Sequence, residues 1–388
     1  MKKWNLKKLG EVCDFSNGQA HEKCIDENGK YKLINSKFVS TDGETFKRTN
    51  NALSPLFVND IAMVMSDVPN GKTLAKCFVV DKNDTYTLNQ RICVIRSKNF
   101  DTQFLYYQLN RNKYLLSFDN GENQSNLRKN DILNCELLVP PFPEQQRIVS
   151  ILDECFEAID TAKANAEQNL KNAKELFESY LQGVFESGDW EVKVLDEVCE
   201  ISSKLIDPRK PEFQNLIHIG AGNIESQTGI LSDLKTAKEE NLISGKFLFD
   251  ESMVLYSKIR PYLMKVVNCD FEGLCSADIY PLKPFEKLIS KNYLYHLLLT
   301  KEFTDYAILG SQRAGMPKVN REHLFAYKLK LPPLQEQETI VSQLDALLSE
   351  TQKLEAIYQQ KLADLEELKK SVLQKAFAGE LKGREVEV

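Results

Sequence analysis

The strongest constraint on the fold of this chain is an internal repeat of about 190 residues. The segment WNLKKLGEVC at 4–13 returns as WEVKVLDEVC at 190–199, an offset of 186 residues. The segment PPFPEQQRIVSILD at 140–153 returns as PPLQEQETIVSQLD at 332–345, an offset of 192 residues. Solenoid and propeller repeats are only about 20–50 residues long. The chain is therefore expected to contain two copies of one domain-sized unit, with a net insertion in the second copy.

Each copy divides into a region of mixed structure and a long helix. Short β-rich runs, such as 60–66 (DIAMVMS) and 252–257 (SMVLYS), alternate with loops and short helical patches. Proline pairs at 140–141 and 332–333 stop the preceding strand, and a glutamate follows in the first helical turn. We therefore predict an α+β chain, divided into mixed domains at 1–140 and 190–331 and long helices at 141–189 and 332–388.

The two long helices carry a seven-residue repeat, which is typical of a coiled coil. We predict that they pack against each other in antiparallel orientation. At 1.5 Å per residue, a helix over 144–182 would be about 58 Å long and could act as a stiff spacer. The main stripe contains Leu152, Ile159, Ala166, Ala173 and Tyr180 in the first helix and Leu344, Thr351, Tyr358, Leu365 and Val372 in the second; companion positions hold Cys155, Ala162, Leu176, Leu347, Leu354 and Leu368.

The net charge of −6 is unevenly distributed along the chain. Residues 1–140 carry 20 Lys+Arg against 16 Asp+Glu, and residues 190–331 carry 19 of each. The helical segments 141–189 and 332–388 hold the acidic excess, with net charges of −6 and −4. Since the mixed domains are neutral to basic, one face of each could bind nucleic acid.

Motifs for catalysis, metal binding and membrane insertion are not evident in the sequence. The nine cysteines form no CxxC pair and the four histidines no HExxH motif, so we predict reduced thiols and no metal site. The string NGKT at 70–73 resembles the end of a phosphate-binding loop, but Ser66 stands where that loop needs glycine. No run approaches the roughly 18 apolar residues of a membrane span. We therefore predict a cytoplasmic, non-catalytic protein.

Five motifs together carry a resemblance to a known family. They are W-x4-L-x-E-V at the head of each copy, PP-x2-EQ-x2-IV-x2-LD at each helix start, SKIRPYLMKV (257–266), CSADIYPLKP (275–284) and GSQRAGMPKVNREHL (310–324). With these motifs the chain resembles the specificity subunit of Type I restriction–modification systems over nearly its whole length. The first copy departs from the second where SDVPNGKTLAKCFVV stands in place of SKIRPYLMKVVNC.

The resemblance implies both the activity and the partners of the chain. Each mixed domain would be a target recognition domain that reads one half of a bipartite double-stranded DNA sequence. The helices would bind two adenine-methylating modification subunits, and a separate motor–nuclease subunit can join the complex. S-adenosylmethionine would be held by the modification subunits, so no cofactor is expected in this chain.

Polar and basic loop residues are the candidate DNA contacts, because phosphates are bound by cations and small donors and bases by bidentate side chains. In the second domain these residues lie mainly in two segments, 258–265 and 312–321. A third candidate segment is the loop at Gly220–Asn223, matched loosely by Asn35–Lys37. The candidate DNA contacts are Lys72, Lys76, Asn123, Gln124, Ser125, Asn126, Arg128 and Lys129 in the first domain and Lys258, Arg260, Tyr262, Lys265, Gln312, Arg313, Lys318, Asn320 and Arg321 in the second.

Other classes of protein remain open at this stage. A stand-alone DNA-binding regulator would bind its sequence without a methyltransferase partner. A coiled-coil scaffold without a DNA role would ignore DNA, and the matched polar loops would be coincidental. A nuclease is a weaker alternative, since no PD…(D/E)xK cluster is evident.

Replacing Arg313, Lys318 and Arg321 together with Ala is expected to weaken DNA binding by the assembled complex. Each cation that neutralises a phosphate releases counterions, so the binding constant should also depend less steeply on salt. The measurement is a DNA titration over a range of salt concentrations. Unchanged affinity and salt slope would remove this loop from the set of DNA contacts.

Overall fold

The structure is a computed structural model that describes residues 4–68, 71–97, 100–119, 121–201, 204–311 and 317–381. The chain forms two compact units. Unit 1 combines Met1–Ala164 with Leu362–Val388, and unit 2 contains Asn165–Lys361. Each unit therefore includes a mixed domain and a portion of both long helices.

The mixed domain of unit 1 is built on a four-stranded antiparallel sheet in the order β2-β9-β5-β7 and a three-stranded sheet in the order β4-β3-β8. Strands β3 and β8 run parallel, whereas β1 pairs with β11 and β6 with β10 in antiparallel ribbons. Its strands are β1 (Asn5–Lys8), β2 (Cys13–Asn17), β3 (Tyr31–Ile34), β4 (Lys47–Thr49), β5 (Ile61–Val64), β6 (Ser66–Asp67), β7 (Cys77–Val79), β8 (Tyr86–Leu88), β9 (Ile92–Ser97), β10 (Ser125–Asn126) and β11 (Glu136–Val139), and its helices are α1 (Leu9–Val12), α2 (Ser36–Ser40), α3 (Thr102–Leu109), α4 (Lys113–Leu116) and α5 (Lys129–Leu133).

The mixed domain of unit 2 repeats this plan after the long helix α6 (Phe142–Ser187). Its four-stranded antiparallel sheet has the order β13-β21-β18-β19, and its second sheet has five strands in the order β14-β17-β20-β15-β16. Strands β15 and β20 are parallel, as β3 and β8 are in unit 1. The strands are β12 (Glu191–Val194), β13 (Cys199–Glu200), β14 (Leu205–Ile206), β15 (Ile217–Ile219), β16 (Lys235–Thr236), β17 (Lys246–Phe249), β18 (Val254–Ser257), β19 (Val266–Asn268), β20 (Gly273–Cys275), β21 (Ile279–Pro284) and β22 (Lys328–Leu331), and the helices are α7 (Lys291–Leu298), α8 (Lys301–Leu309), α9 (Arg321–Phe325) and the long α10 (Leu334–Phe377).

The long helices α6 and α10 pack antiparallel within each unit. In unit 1 the ammonium of Lys163 lies 2.7 Å from a Glu366 carboxylate oxygen, and Lys369 lies 2.9 Å from Asp160. In unit 2 the Tyr180 hydroxyl donates to Gln343 at 2.9 Å. Residue numbers fall along one helix as they rise along the other, which confirms the predicted orientation and the α+β fold. Such exposed pairs add little stability by themselves.

The apolar stripe between the long helices is narrower than the sequence predicted. Leu152, Ile159 and Ala166 of the main stripe are buried, as are Leu344 and Thr351. The companion positions differ, because the side chains of Leu176, Leu354 and Leu368 are 53%, 38% and 47% exposed. These three companion leucines are therefore only partly covered, while the predicted coiled coil is confirmed. A seven-residue repeat identifies apolar faces, but it does not say which of two adjacent faces meets the partner helix.

A buried glutamine fixes the start of each long helix to its mixed domain. The Gln145 amide donates to Pro140 O at 2.9 Å and accepts the Asp101 N–H, which precedes α3, at 2.9 Å. The Gln337 amide donates to Pro332 O at 2.8 Å and accepts the Ser290 N–H, which precedes α7, at 2.8 Å. The repeated EQ pair of the sequence thus has a structural role: its glutamine supplies partners for backbone groups that would otherwise be buried unpaired.

The far end of each long helix completes a hydrophobic core. In unit 1, Phe377 of α10 meets Phe104 edge to face with ring centroids 5.6 Å apart. In unit 2, the ring centroids of Phe185 of α6 and Tyr293 of α7 lie 5.0 Å apart. Each mixed domain is therefore packed by the beginning of one long helix and the end of the other. Among the helices of the described ranges, none combines the length and apolar character needed to cross a membrane.

Replacing Gln337 with Leu is expected to lower the free energy of unfolding by about 3 kcal/mol, because one buried and two partly buried backbone groups lose their hydrogen-bond partner. Two of these are the Ser290 N–H and the Pro332 carbonyl, and the third is the Leu288 carbonyl. Urea denaturation of the intact chain measures the change. The matched control is Gln335→Leu on the exposed side of the same turn, expected within about 0.5 kcal/mol of the wild type. Equal stability of the two variants would contradict the role of Gln337.

Candidate nucleic-acid interface

Two segments that the sequence singled out separately come together in unit 2. Residues 258–265 follow β18, and residues 317–321 lead into α9, whose first residue is Arg321. Ile259 and Lys318 form an antiparallel bridge, and the Arg260 N–H donates to Pro317 O at 2.9 Å. The Val319 N–H donates to Lys258 O at 2.8 Å. We call this meeting point the unit 2 junction.

The unit 2 junction gathers positive charge around one carboxylate. The ammonium groups of Lys318 and Lys258 lie 3.0 Å and 3.9 Å from the same Asp278 oxygen. Burial lowers the pKa of Lys258, and the Lys318 charge acts in the same direction. The Arg321 guanidinium lies over the rings of Tyr280 and Phe247, 5.8 Å from each centroid. Lys258 and Lys318 share one carboxylate, and Arg321 lies over the Tyr280 ring that Lys258 also faces. This cluster therefore carries a net positive charge that suits phosphate or guanine.

A strained loop in the unit 2 junction projects two of the candidate side chains. Arg260 and Met264 have φ angles of 50° and 49°, a left-handed conformation that is uncommon without glycine. Between them, Tyr262 is 52% exposed. Strained backbone of this kind often marks functional loops. Lys265, at the end of the loop, instead points its ammonium inward to Ala221 O at 2.6 Å.

The remaining candidates of unit 2 are a helix cap, two residues that lie outside the described ranges, and the loop around Asn223. The Asn320 side chain caps α9 by accepting the His323 N–H at 2.7 Å. Gln312 and Arg313 lie outside the described residues. In the third candidate loop, the Asn223 side chain accepts the Gly220 N–H at 2.8 Å and donates to Ser232 O at 3.1 Å. Asn223 therefore shapes its own turn.

The same junction recurs in unit 1 with different chemistry. Strand β10 pairs with β6, and the Leu127 N–H donates to Met65 O at 2.7 Å, the counterpart of the bond between Val319 and Lys258. We call the meeting of residues 65–68 with residues 124–129 the unit 1 junction. Its Gln124 amide donates to Ser66 Oγ at 2.7 Å. Asn126 thus stands at the position of Lys318, whereas Lys129, the first residue of α5, stands at the position of Arg321, the first residue of α9.

The other unit 1 candidates surround this junction. Asn123 and Asn126 are exposed, whereas Ser125 is buried and its hydroxyl donates to Asp119 at 2.6 Å. Arg128 is exposed at the start of α5, where its N–H donates to Asp131 at 2.8 Å. The Lys129 ammonium lies 5.7 Å above the Phe15 ring.

Two lysines of the first domain lie on the loop between β6 and β7. Lys72 is exposed and Lys76 is half-buried, and both line a cavity of about 270 Å³ with Arg111. The Lys76 ammonium is already occupied, because it donates to Ser40 O at 3.1 Å and lies 3.0 Å from an Asp42 oxygen. Lys72 is the one of this pair that faces solvent.

Sequence reasoning missed the residues that hold the candidates in place. Asp278 and Tyr280 lie in the CSADIYPLKP motif, which signalled the family without revealing that these two side chains hold Lys258, Lys318 and Arg321. Among the described residues there is no group of three His, Cys, Asp or Glu side chains that could hold a metal ion.

Comparison of the sequence with known protein families gives a match over both copies of the repeat. Residues 1–172 and 187–365 both match the family described as the Type I restriction modification DNA specificity domain. The chain therefore belongs to this family, and the resemblance noted in its sequence is confirmed. It is a specificity subunit, a non-catalytic component of a Type I restriction–modification system.

Individual relatives extend over almost the whole chain. The EcoDI specificity subunit of a Type I restriction enzyme from Escherichia coli is 29% identical over 414 residues, covering 97% of this chain and 88% of the relative. The MjaVIII specificity subunit from Methanocaldococcus jannaschii is 21% identical over 428 residues, covering 98% and 93%.

Two solved structures share the fold. One, from work on complex assembly and conformational transition of the type I R-M system, has a TM-score of 0.78 at 19% identity and covers 98% of this chain and 99% of its own. The other is the HsdS subunit from Thermoanaerobacter tengcongensis, with a TM-score of 0.60 at 19% identity and 98% coverage of both chains. At this level of identity the likeness establishes the fold alone.

Replacing Asn320 with Ala is expected to lower the free energy of unfolding by about 1 kcal/mol, because α9 loses its N-terminal cap. The control is Lys318→Ala two residues earlier, whose half-exposed ion pair should contribute less than about 0.5 kcal/mol. Thermal or urea unfolding of the two variants checks the assignment. If Lys318→Ala were destabilised and Asn320→Ala were not, the assignment of Asn320 as the cap of α9 would be wrong.

Proposed function

We propose that this chain reads a bipartite double-stranded DNA target, with one half-site bound by each unit, and carries two adenine-methylating modification subunits. The observation that supports this most directly is the repeated junction. A similar backbone connection presents Lys258, Lys318 and Arg321 in unit 2, and Ser66, Gln124, Asn126 and Lys129 in unit 1. Similar scaffolds with partly different side chains are suited to reading two different sequences.

The chemistry of each junction points to a different kind of half-site. Arginine and lysine pair with the O6 and N7 acceptors of guanine, whereas asparagine and glutamine pair with adenine. Exposed cations such as Lys318 and Arg321 also bind phosphate, which fixes the register of a protein on the duplex. We therefore propose that base contacts come from both junctions and that nearby lysines supply phosphate contacts.

The proposed assembly assigns the chemistry to partner subunits. S-adenosylmethionine would be bound by the modification subunits and not by this chain, and a restriction subunit with motor and nuclease activity can join them. We propose that the complex operates in the cytoplasm, where the DNA lies. The family match supports this reading over the alternatives of a stand-alone regulator and a scaffold without a DNA role.

Co-expression with the modification subunits, followed by mapping of methylated adenines, tests the proposal. The expected result is a bipartite motif with a fixed gap. The double variant Lys318→Ala, Arg321→Ala should relax one half of the motif, and Gln124→Ala, Asn126→Ala should relax the other half. A continuous motif, the absence of methylation, or an identical change from both double variants would contradict the proposal.

A further inference from the structure

Lys76 and Lys265 occupy equivalent positions in the two units. Each comes directly before the edge strand of its four-stranded sheet, Lys76 before β7 and Lys265 before β19. The carbonyl of each accepts a backbone N–H from the end of the neighbouring strand: Val64 in unit 1 and Ser257 in unit 2, both at 3.0 Å. Both lysines were predicted from the sequence to be candidate DNA contacts.

Both ammonium groups donate to a backbone carbonyl in the segment that follows the parallel strand of the second sheet. The Lys76 ammonium also lies 3.0 Å from an Asp42 oxygen. Lys76 donates to Ser40 O at 3.1 Å, and Ser40 lies at the end of the helix that follows β3. Lys265 donates to Ala221 O at 2.6 Å, and Ala221 follows β15. Strands β3 and β15 are the ones that pair in parallel in their sheets. Each lysine thus ties the four-stranded sheet to the second sheet of its unit.

The residue before each lysine is held in an uncommon conformation. Ala75 has a φ of 57° and Met264 a φ of 49°, although neither is glycine. Left-handed backbone at such residues persists only where the surroundings hold it. In both units, the hydrogen bond made by the lysine that follows helps to keep this residue in the left-handed conformation. The loop that ends here carries the exposed Lys72 in unit 1 and the exposed Arg260 and Tyr262 in unit 2.

We propose that Lys76 and Lys265 are positioning residues: each fixes the loop that faces DNA, and neither contacts a phosphate. This inference rests on the proposed function. The repetition of such a bond in two units with different loop sequences supports it, because both lysines reach the segment that follows the equivalent strand, β3 in unit 1 and β15 in unit 2. A phosphate-binding lysine would also need an ammonium that can reach the duplex. Lys318 meets this condition because its side chain is half-exposed, although its ammonium lies 3.0 Å from an Asp278 oxygen.

Salt dependence separates the two roles. A lysine that neutralises a phosphate contributes about one to the slope of log binding constant against log salt, so its loss lowers the slope by about one. A positioning lysine contributes nothing to this slope, but its loss disorders the loop and weakens discrimination at the half-site of its own unit.

The test uses the assembled complex of full-length chain and modification subunits, with the variants Lys265→Met and Lys76→Met. Lys318→Met and Lys72→Met are the matched phosphate-type controls in the same units. Binding is measured across a salt series on the mapped target and on targets with one base changed in either half-site. Thermal unfolding is recorded for every variant.

For Lys265→Met we expect the wild-type salt slope, and a loss of about tenfold in discrimination at the unit 2 half-site alone. Lys76→Met should do the same at the unit 1 half-site. Lys265→Arg, which keeps a donor, should restore most of the discrimination. Lys318→Met should lower the slope by about one.

Several results would overturn the inference. One is a slope lowered by about one in Lys265→Met with discrimination intact, which identifies a phosphate contact. A second is wild-type behaviour of both methionine variants. A third is loss of discrimination at both half-sites together with a lowered unfolding temperature, or failure of both variants to assemble, which identifies a general structural role. Absence of a bipartite target for the wild-type complex would instead contradict the proposed function.

Discussion

The fold of each unit depends on how a long helix is fixed to a mixed domain at its first turn. Gln145 and Gln337 are almost completely buried, and each bridges the carbonyl of a proline at the helix start and the N–H that precedes a domain helix. A buried amide satisfies these groups only in one geometry, so it sets the direction in which the helix leaves the domain. Apolar packing alone would permit a range of directions.

A second polar contact, about two helical turns further along each long helix, repeats this arrangement with different residues. The Tyr107 hydroxyl donates to Asp153 in unit 1, and His296 Nε2 lies 2.9 Å from Asp345 in unit 2. Burial lowers the pKa of His296, although Asp345 opposes this shift. The aspartates come from the repeated IV-x2-LD motif, while their partners on α3 and α7 differ. The helix side of the contact is therefore shared between the copies more closely than the domain side.

Much of the architecture could be predicted from the sequence, because it follows from repetition and periodicity. The duplication, the long antiparallel helices and the mixed domains were all evident from spacing alone. The exposed face of Leu176, Leu354 and Leu368 was not, because periodicity does not identify which apolar face is covered. The individual roles of polar residues also escaped prediction. Asn320 caps α9 and Lys265 bonds to the distant Ala221 carbonyl. The sequence alone does not distinguish such structural bonds from contacts with DNA.

The composition of unit 1 has a consequence for biosynthesis. Its hydrophobic core includes Ala376 and the half-buried Val372, Leu373 and Phe377, which the ribosome makes after the whole of unit 2. Unit 2 is contiguous from residue 165 to residue 361, so every part of it is translated before unit 1 has its final helix. The mixed domain of unit 1 must therefore wait, with part of its apolar surface uncovered, until Phe377 has been made, while unit 2 can already be native. Chaperone demand during synthesis should fall on the amino-terminal half of the nascent chain.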